Sequence, residues 1–472
     1  MKIGFVSLGC PKNLVDTEVM MGQLAARGHE LTPRPEEAEV LVVNTCSFID
    51  PAKQESVDTI LEMAEFKKNG RARRLIVAGC LVERYRDQIR ANIPEVDAVL
   101  GTNELDAIVA LCEGRPAASD PFEPYLYHDL TPRVLSTPRH FAYIKIAEGC
   151  DHPCTFCVIP QFRGRFRSRR PESVVAEAAR LFAQGVREIN LIGQDTTTYG
   201  EDLGLKDGLA HLLARLALIE TPRRKWIRFL YAYPNRVTQR LLDTIAEHEA
   251  LVPYLDLPLQ HAGAAVLKRM KRGASGDLFL KLLERIRRAI PGVAIRTSMI
   301  VGFPGETDAD FEELCRFVEA ARFDHLGVFS YSDEETSASY RLDGKVDRRA
   351  TYNRRRRLLA IQRKVSRANN RRRIGEEVAV LVEGPSSETD LLWEARLATQ
   401  APEIDGVCLV NDCEGDEPRP GEFRRLRITA AHDYDLVGTL LEARIDEPPA
   451  PPDLFRILPA GHNPHPAAPG RP

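Results

Sequence analysis

The chain has no run of the ~18–20 consecutive apolar residues that a membrane helix requires, which excludes a spanning segment of that kind. Its first residues, MKIGFVSLGC, lack the basic start and long apolar stretch of a secretory signal and read instead as a β-strand. No Cys or His follows Cys157 within twenty residues, so the paired-ligand pattern of a structural zinc site is not completed there. These absences leave a cytoplasmic protein as the expectation, with no membrane partner. Of its 472 residues 43% are hydrophobic and 28% charged, which is ordinary for a globular chain, and the length suggests about three domains. Ten cysteines in such a chain point to metal ligation rather than to disulfides.

The densest signal is EGCDHPCTFC, with Cys150, Cys154 and Cys157 spaced C-x3-C-x2-C on one short loop. Three thiolates at this spacing can hold three corners of a cubane iron–sulfur cluster and leave the fourth iron open to a chelating substrate. His152 lies between two ligands, a poor place for a fourth. The alternative reading is a structural metal knuckle.

A second set is dispersed. The apolar runs IGFVSLGC, AEVLVVNTC and RLIVAGC end at Cys10, Cys46 and Cys80, separated by helix-like stretches at 16–27 and 56–67. The spacings of 36 and 34 residues fit βαβ crossovers, so all three strands should be parallel, with their cysteines on one rim. This predicts a second cluster with three protein ligands. Cys112 and Cys315 sit in apolar helical patterns and read as core, while Cys408 and Cys413 have no paired ligands nearby.

From Phe141 the segments FAYIKI, REINLIG, WIRFLYA, YLDLPL, VAIRTSMIVG and HLGVFSY alternate with amphipathic helices. Six βα units predict a parallel, partly open barrel with its chemistry at the carboxyl ends of the strands. Gln194, Asp195, Thr196, Thr197 and Tyr199 fall at such an end, as do Gln260, His261, and the glycines Gly302 and Gly305 of IVGFPGET. A lone histidine such as His261 is more often a core residue than a ligand.

Both triplets, in this order and with this barrel, resemble the methylthiotransferase family of radical S-adenosylmethionine (SAM) enzymes. The resemblance covers residues 1 to about 441. It implies an N-terminal methylthiotransferase domain (1–112), a linker (113–138), a (β/α)6 radical SAM barrel ending in a basic helix (139–372), and a small antiparallel β-barrel of the TRAM type (373–441). It also implies two [4Fe-4S] clusters, on Cys150, Cys154 and Cys157 and on Cys10, Cys46 and Cys80, with SAM on the open iron of the first. Phe156, Gln194, Asp195 and Gly302 are the implied SAM contacts. SLGCPKNLVDTE and GQDTTTYG look like the branch that modifies a protein, whereas the tRNA-modifying branch has YGCQMN-like and GQNVN-like runs there. The expected reaction adds a methylthio group to the β-carbon of an aspartate in the twelfth protein of the small ribosomal subunit, a basic partner met free or on the ribosome. An external electron donor and a sulfur source are implied. YSDEETSASY departs from the family pattern by lacking a glycine and proline after its glutamates.

The last third carries opposed charges. Residues 348–373 hold twelve Arg or Lys and no acid, with Leu358, Leu359, Ile361 and Val365 at near-helical spacing. Residues 376–423 hold thirteen Asp or Glu against two Arg, a surface expected to repel RNA and attract a basic protein. The tail from Pro448 has nine prolines in 25 residues and is expected to be disordered. Two alternatives stay open: a tRNA adenosine methylthiotransferase, and a non-catalytic iron–sulfur or RNA-binding scaffold.

Overall fold

The structure is a computed structural model, and it describes residues 1–116, 125–389 and 391–445; the proline-rich tail lies outside them. The three cysteine-terminated runs form β1 (Lys2–Ser7), β3 (Val40–Thr45) and β4 (Arg74–Gly79), joined by short β2 (Glu30–Thr32) and β5 (Ala98–Leu100). Their order is β2-β1-β3-β4-β5, and every pairing is parallel. Every residue of β3 is buried, as a strand covered on both faces should be. Helices α1 (Pro11–Ala26), α2 (Asp50–Asn69), α3 (Cys80–Asn92) and α4 (Ile108–Cys112) cover the sheet. Helices α1 and α2 begin five or six residues earlier than the apolar periodicity suggests. Each carries a proline at its first or second position (Pro11, Pro51), which has no N–H to leave unpaired in a first turn.

All six apolar segments of the middle region become strands: β6 (Phe141–Lys145), followed by the short β7 (Ala147–Glu148) and β8 (Arg167–Ser168), then β9 (Glu188–Ile192), β10 (Trp226–Phe229), β11 (Tyr254–Asp256), β12 (Ala294–Val301) and β13 (His325–Ser330). They form two parallel three-stranded halves, β6-β9-β10 and β11-β12-β13. The halves meet where Ile227 N donates to Ala250 O (2.7 Å) and Ala232 N to Asp256 O (2.9 Å). Helices α5 (Ile159–Arg163), α6 (Pro171–Ala183), α7 (Gly208–Ala217), α8 (Gln239–Glu247), α9 (Ala264–Arg269), α10 (Gly276–Ala289) and α11 (Asp308–Ala321) surround them, and α12 (Arg348–Arg371) runs back along β13. Asp347 caps α12 by accepting from Arg349 N and Ala350 N. Leu358 and Val365 are buried, with Leu359 and Ile361 packed at the margin of the core. Part of its basic face is matched by acids: Arg354 meets Asp308 (2.7 Å) and Arg367 meets Asp433 (2.5 Å).

Strands β14 (Glu377–Pro385), β15 (Trp393–Leu397), β16 (Cys408–Cys413), β17 (Phe423–Ala431) and β18 (Leu436–Arg444) close into a barrel in the order β14-β15-β16-β18-β17. It is antiparallel except that β16 and β18 run parallel. This barrel seals the amino end of the larger one. Leu381, Ala401 and Phe423 share a core with Phe141, Trp226, Tyr254 and Ala294, the first residues of four strands, and the Trp226 and Phe423 rings lie 4.8 Å apart. Several acids counted in the sequence as surface charge are spent here. Glu383 pairs with Arg396 (2.6 Å) and His140 (2.8 Å), and Asp405 pairs with Arg296 (2.8 Å).

Glu188, fully buried, accepts from both Arg228 (3.1 Å) and Arg396 (2.5 Å) across this junction. Removing one member of such a group strands the others without compensation. Glu188→Ala should therefore destabilise the chain by about 3–5 kcal/mol in denaturant unfolding; a loss below ~1 kcal/mol would show that the junction does not depend on it.

Candidate active site

Each thiol of the dispersed set stands just past a strand end: Cys10 before α1, Cys46 after β3, and Cys80 as the first residue of α3. Glycines let the rim close. Gly9 has φ +91°, and a Cβ there would lie 2.8 Å from Cys46 Cβ; Gly79 has φ +95°, with Asn44 Oδ1 at 2.3 Å from the same position. Asn13 staples the rim by donating to Leu8 O (3.1 Å) and Thr45 O (2.9 Å). The backbone amides of Phe48 and Ser47 reach the Cys46 sulfur; Cys10 is close enough to raise the pKa of Cys46, and both raise that of Cys80. Burial pushes the Cys80 thiol up to about 12, with Arg163 opposing it. Thiols this reluctant to ionise alone become thiolates when they bind metal, because the metal supplies the missing positive charge.

Arg163 ends α5, six residues beyond Cys157, and its Nη2 lies 3.3 Å from Cys80 Sγ. It also pairs with Asp16 (2.7 Å) and Glu148 (3.3 Å), while Lys145 pairs with Asp16 and with Glu148 (2.6 Å). All four are at most 4% exposed, and they join the N-terminal domain to the barrel beneath the two cysteine sets. The sequence reading missed this group. Its one local signal is a lysine inside the apolar run FAYIKI.

The compact set lies on the loop between β7 and α5. His152 Nε2 donates to Asp195 Oδ2 (2.6 Å), and its ring stacks on Tyr233 with centroids 3.8 Å apart and planes 7° from parallel. Asp195 also accepts from Thr197 N (2.8 Å) and the Thr197 and Thr198 hydroxyls. Burial alone would raise its pKa; these bonds outweigh burial and hold it low. Arg272 lies over the Tyr233 ring, 4.3 Å from its centroid, with Nη1 3.7 Å from Cys154 Sγ. Burial raises Cys150 to about 11 and Cys157 to about 12. Among the described residues no three His, Cys, Asp or Glu converge on a single ion.

The other expected site residues are distributed as follows. Phe156 packs partly buried against the barrel core. Gln194 donates to Glu148 Oε1 (2.6 Å), and its own Oε1 is buried without a partner. Gly302, at φ +78°, faces Thr351 so closely that a Cβ would lie 2.2 Å from Oγ1, so its lack of a side chain admits α12; its N–H is held by Glu306. His261 is fully buried, accepting from Gly263 N (2.9 Å), with Nε2 unpartnered 3.9 Å from Glu306. Cys112, Cys315 and Cys408 are buried, Cys408 inside the C-terminal barrel. Glu334, in the departing YSDEET stretch, is 2% exposed and clamps Lys53 (2.9 Å) and Arg84 (2.5 Å) of the N-terminal domain.

Three family models match: an uncharacterized protein family, UPF0004, over 2–101, the radical SAM superfamily over 144–318, and the TRAM domain over 374–441. The chain is 77% identical to ribosomal protein uS12 methylthiotransferase RimO of Solibacter usitatus, covering 98% of this chain and 97% of the relative. The same name is carried by relatives from Koribacter versatilis (58% identical, covering 93% and 96%) and Geobacter sulfurreducens (46%, covering 93% and 98%). Among solved structures, the radical SAM methyltransferase TsrM from Kitasatospora setae, with cobalamin and a [4Fe-4S] cluster bound, superposes with a TM-score of 0.52 at 17% identity, over 70% of this chain and 74% of that one. That likeness speaks to fold alone.

The rim geometry makes a matched test possible. Gly28 also has positive φ (+81°), but nothing lies within 4 Å of its Cβ position. Gly28→Ala should cost about 1–2 kcal/mol of backbone strain, and Gly9→Ala roughly 1–3 kcal/mol more for the overlap with Cys46. Equal losses in denaturant unfolding would mean that Gly9 does not pack the thiol rim.

Proposed function

The chain belongs to the family of ribosomal protein uS12 methylthiotransferases named RimO, and from that premise we propose that it transfers a methylthio group to the β-carbon of an aspartate of uS12, using SAM and two iron–sulfur clusters. The carrying observation is the bridge from one cysteine set to the other: Arg163, on the helix that follows Cys157, reaches Cys80 Sγ at 3.3 Å. A buried side chain that reaches the dispersed set from the helix following the compact set supports placing both sets in one reaction centre. The tRNA alternative is not favoured, since the high-identity relatives carry the uS12 name.

An unactivated C–H bond cannot be deprotonated at neutral pH, so no His or Glu of the chain serves as a base for it; bound cluster and SAM supply radical chemistry for that step. The chain's residues hold and shield. Cys150, Cys154 and Cys157 would hold the SAM-binding cluster on a loop oriented by the His152–Asp195 bond and the Tyr233 stack. Cys10, Cys46 and Cys80 would hold the second cluster and the sulfur to be transferred. The chain fits both groups: each set offers three thiols with ionic or amide hydrogen bonds aimed at the sulfurs, and Gln194 keeps a buried acceptor unpaired. Phe156, Gln194, Asp195 and the Gly302 turn remain the proposed SAM surround, Asp195 acting through His152. The electron donor and sulfur source are external, and the substrate is met in the cytoplasm, free or on the ribosome.

The exposed acids of the C-terminal barrel are fewer than the sequence count implies, but Asp412, Glu414, Asp416 and Glu417 are exposed on one strand end and loop. They suit a basic ribosomal protein, and they belong to the barrel on the amino side, so they would hold the substrate rather than present its reacting residue.

Two outcomes are expected. Replacing Cys10, Cys46 and Cys80 together with Ala should abolish methylthio product while some 5′-deoxyadenosine still forms, whereas Cys154→Ala should abolish both; product from the triple variant at the parental rate would refute the sulfur-holding role. Glu414→Lys with Glu417→Lys should weaken binding to isolated uS12, and parental binding should itself weaken as salt shortens the ~8 Å Debye length at physiological strength. Salt-independent binding, unchanged in the double variant, would remove the acidic loop from substrate docking.

A further inference from the structure

Lys12 is 8% exposed and has no carboxylate partner among the described residues. Its Nζ donates to Gly193 O at 3.4 Å and stands 3.2 Å from the centroid of the Tyr231 ring. A buried ammonium held only by a carbonyl and a ring face is costly unless an anion joins it. Its neighbours show the usual solution: Lys145 and Arg163 each meet both Asp16 and Glu148. Lys145 and Arg163 take both carboxylates at close range, so Lys12, which faces Cys10, Glu148 and Asp256 only from farther away, makes no close ion pair among the described residues. Asp256 is close by but accepts from Tyr231 N (2.9 Å) and faces Arg296 (3.7 Å). Glu148 is taken by Lys145, Arg163 and Gln194.

The setting points to a ligand rather than to a packing accident. Lys12 is in the first turn of α1, two residues after Cys10, and it reaches the carboxyl ends of β9 and β10, where the barrel's chemistry is expected. Tyr231 beneath it is held at φ +65°, a left-handed conformation that a tyrosine adopts only under constraint. The constraint is visible: Tyr231 N is fixed by Asp256, and Tyr231 O accepts from Thr196 N at 3.1 Å. An ammonium with no close anion among the described residues thus stands at the end of the barrel where the chemistry is expected, and a peptide carrying an acidic side chain supplies the anion.

We propose that Lys12 forms the carboxylate-binding site for the acidic side chain of the substrate protein, with the Tyr231 ring as the floor that positions the ammonium. The proposal rests on the reading of uS12 aspartate as substrate and adds the residue that recognises it. A site of this kind selects a carboxylate over a neutral isostere, because rejecting the amide leaves the ammonium unpaired.

The test is a binding titration of the reconstituted enzyme with two uS12 peptides that differ only in carrying Asp or Asn at the target position. The parent should prefer the Asp peptide by roughly tenfold to a hundredfold, the range of a charge-assisted hydrogen bond. Lys12→Met should bring the ratio to about one, and Lys12→Arg should keep most of it. If Lys12→Met binds neither peptide, Lys12→Gln decides: a ratio near one supports the site, and a parental ratio overturns it. Lys12→Met retaining the parental ratio overturns the site alone and leaves Lys12 as a counter-charge to the nearby thiolates, which would affect both peptides equally. A parent that binds tRNA and neither peptide overturns the substrate reading, and the site with it.

Discussion

Everything at the reaction centre depends on a buried ionic group that crosses from one domain to another. Asp16 comes from α1, Lys145 and Glu148 from β6 and β7, and Arg163 from the helix after the compact cysteine loop. Burying four charges is expensive, and only their mutual pairing offsets it. Arg163 can satisfy Asp16, Asn13 and Cys80 only if the N-terminal sheet sits in one register on the barrel. That requirement fixes the N-terminal cysteine rim relative to the barrel that carries the compact cysteine loop. Glu334 repeats the device farther out, with Lys53 and Arg84 as its partners.

The two ends of the barrel are treated differently. Its amino end is sealed by the C-terminal barrel through an aromatic and aliphatic core and the Glu188, Arg228 and Arg396 group. Its carboxyl end receives the N-terminal domain through the buried ionic group and through Val15 and Val19 of α1, with buried atoms unpartnered at Gln194, His261 and Glu306. Unpartnered buried atoms at that end suit a face that takes up cofactor and substrate. Helix α12 connects the two ends, its first turns against the Gly302 turn and its last against the strands of the C-terminal barrel.

Local patterns carried most of the fold. The six barrel strands, the three cysteine-terminated strands and the small terminal barrel were each legible because an apolar run of five or more residues leaves a clear trace. The three-residue strands β2 and β5 left none. The cysteines of both sets were legible as residue types at strand ends or in a tight loop; that Cys46 packs against Gly9 and Cys80 against Arg163 was not. Partners across domains were not legible. Asp195 stood out as a strand-end acid, but that it holds His152 depends on a loop 43 residues earlier. Arg163 and Lys12 carry no mark in the sequence, since nothing in their neighbourhood reveals that another domain buries them. The acidic count of residues 376–423 misled for the same reason: Glu383 and Asp405 face barrel arginines that are distant in sequence.

The central claim is that two cysteine triplets, coupled through Arg163, each hold a four-iron cluster. Anaerobic reconstitution followed by iron and sulfide analysis tests it most directly. The account predicts about eight of each per chain. It also predicts about four after either triplet is replaced with alanine. About four in the parent, unchanged when Cys10, Cys46 and Cys80 are replaced, would contradict it.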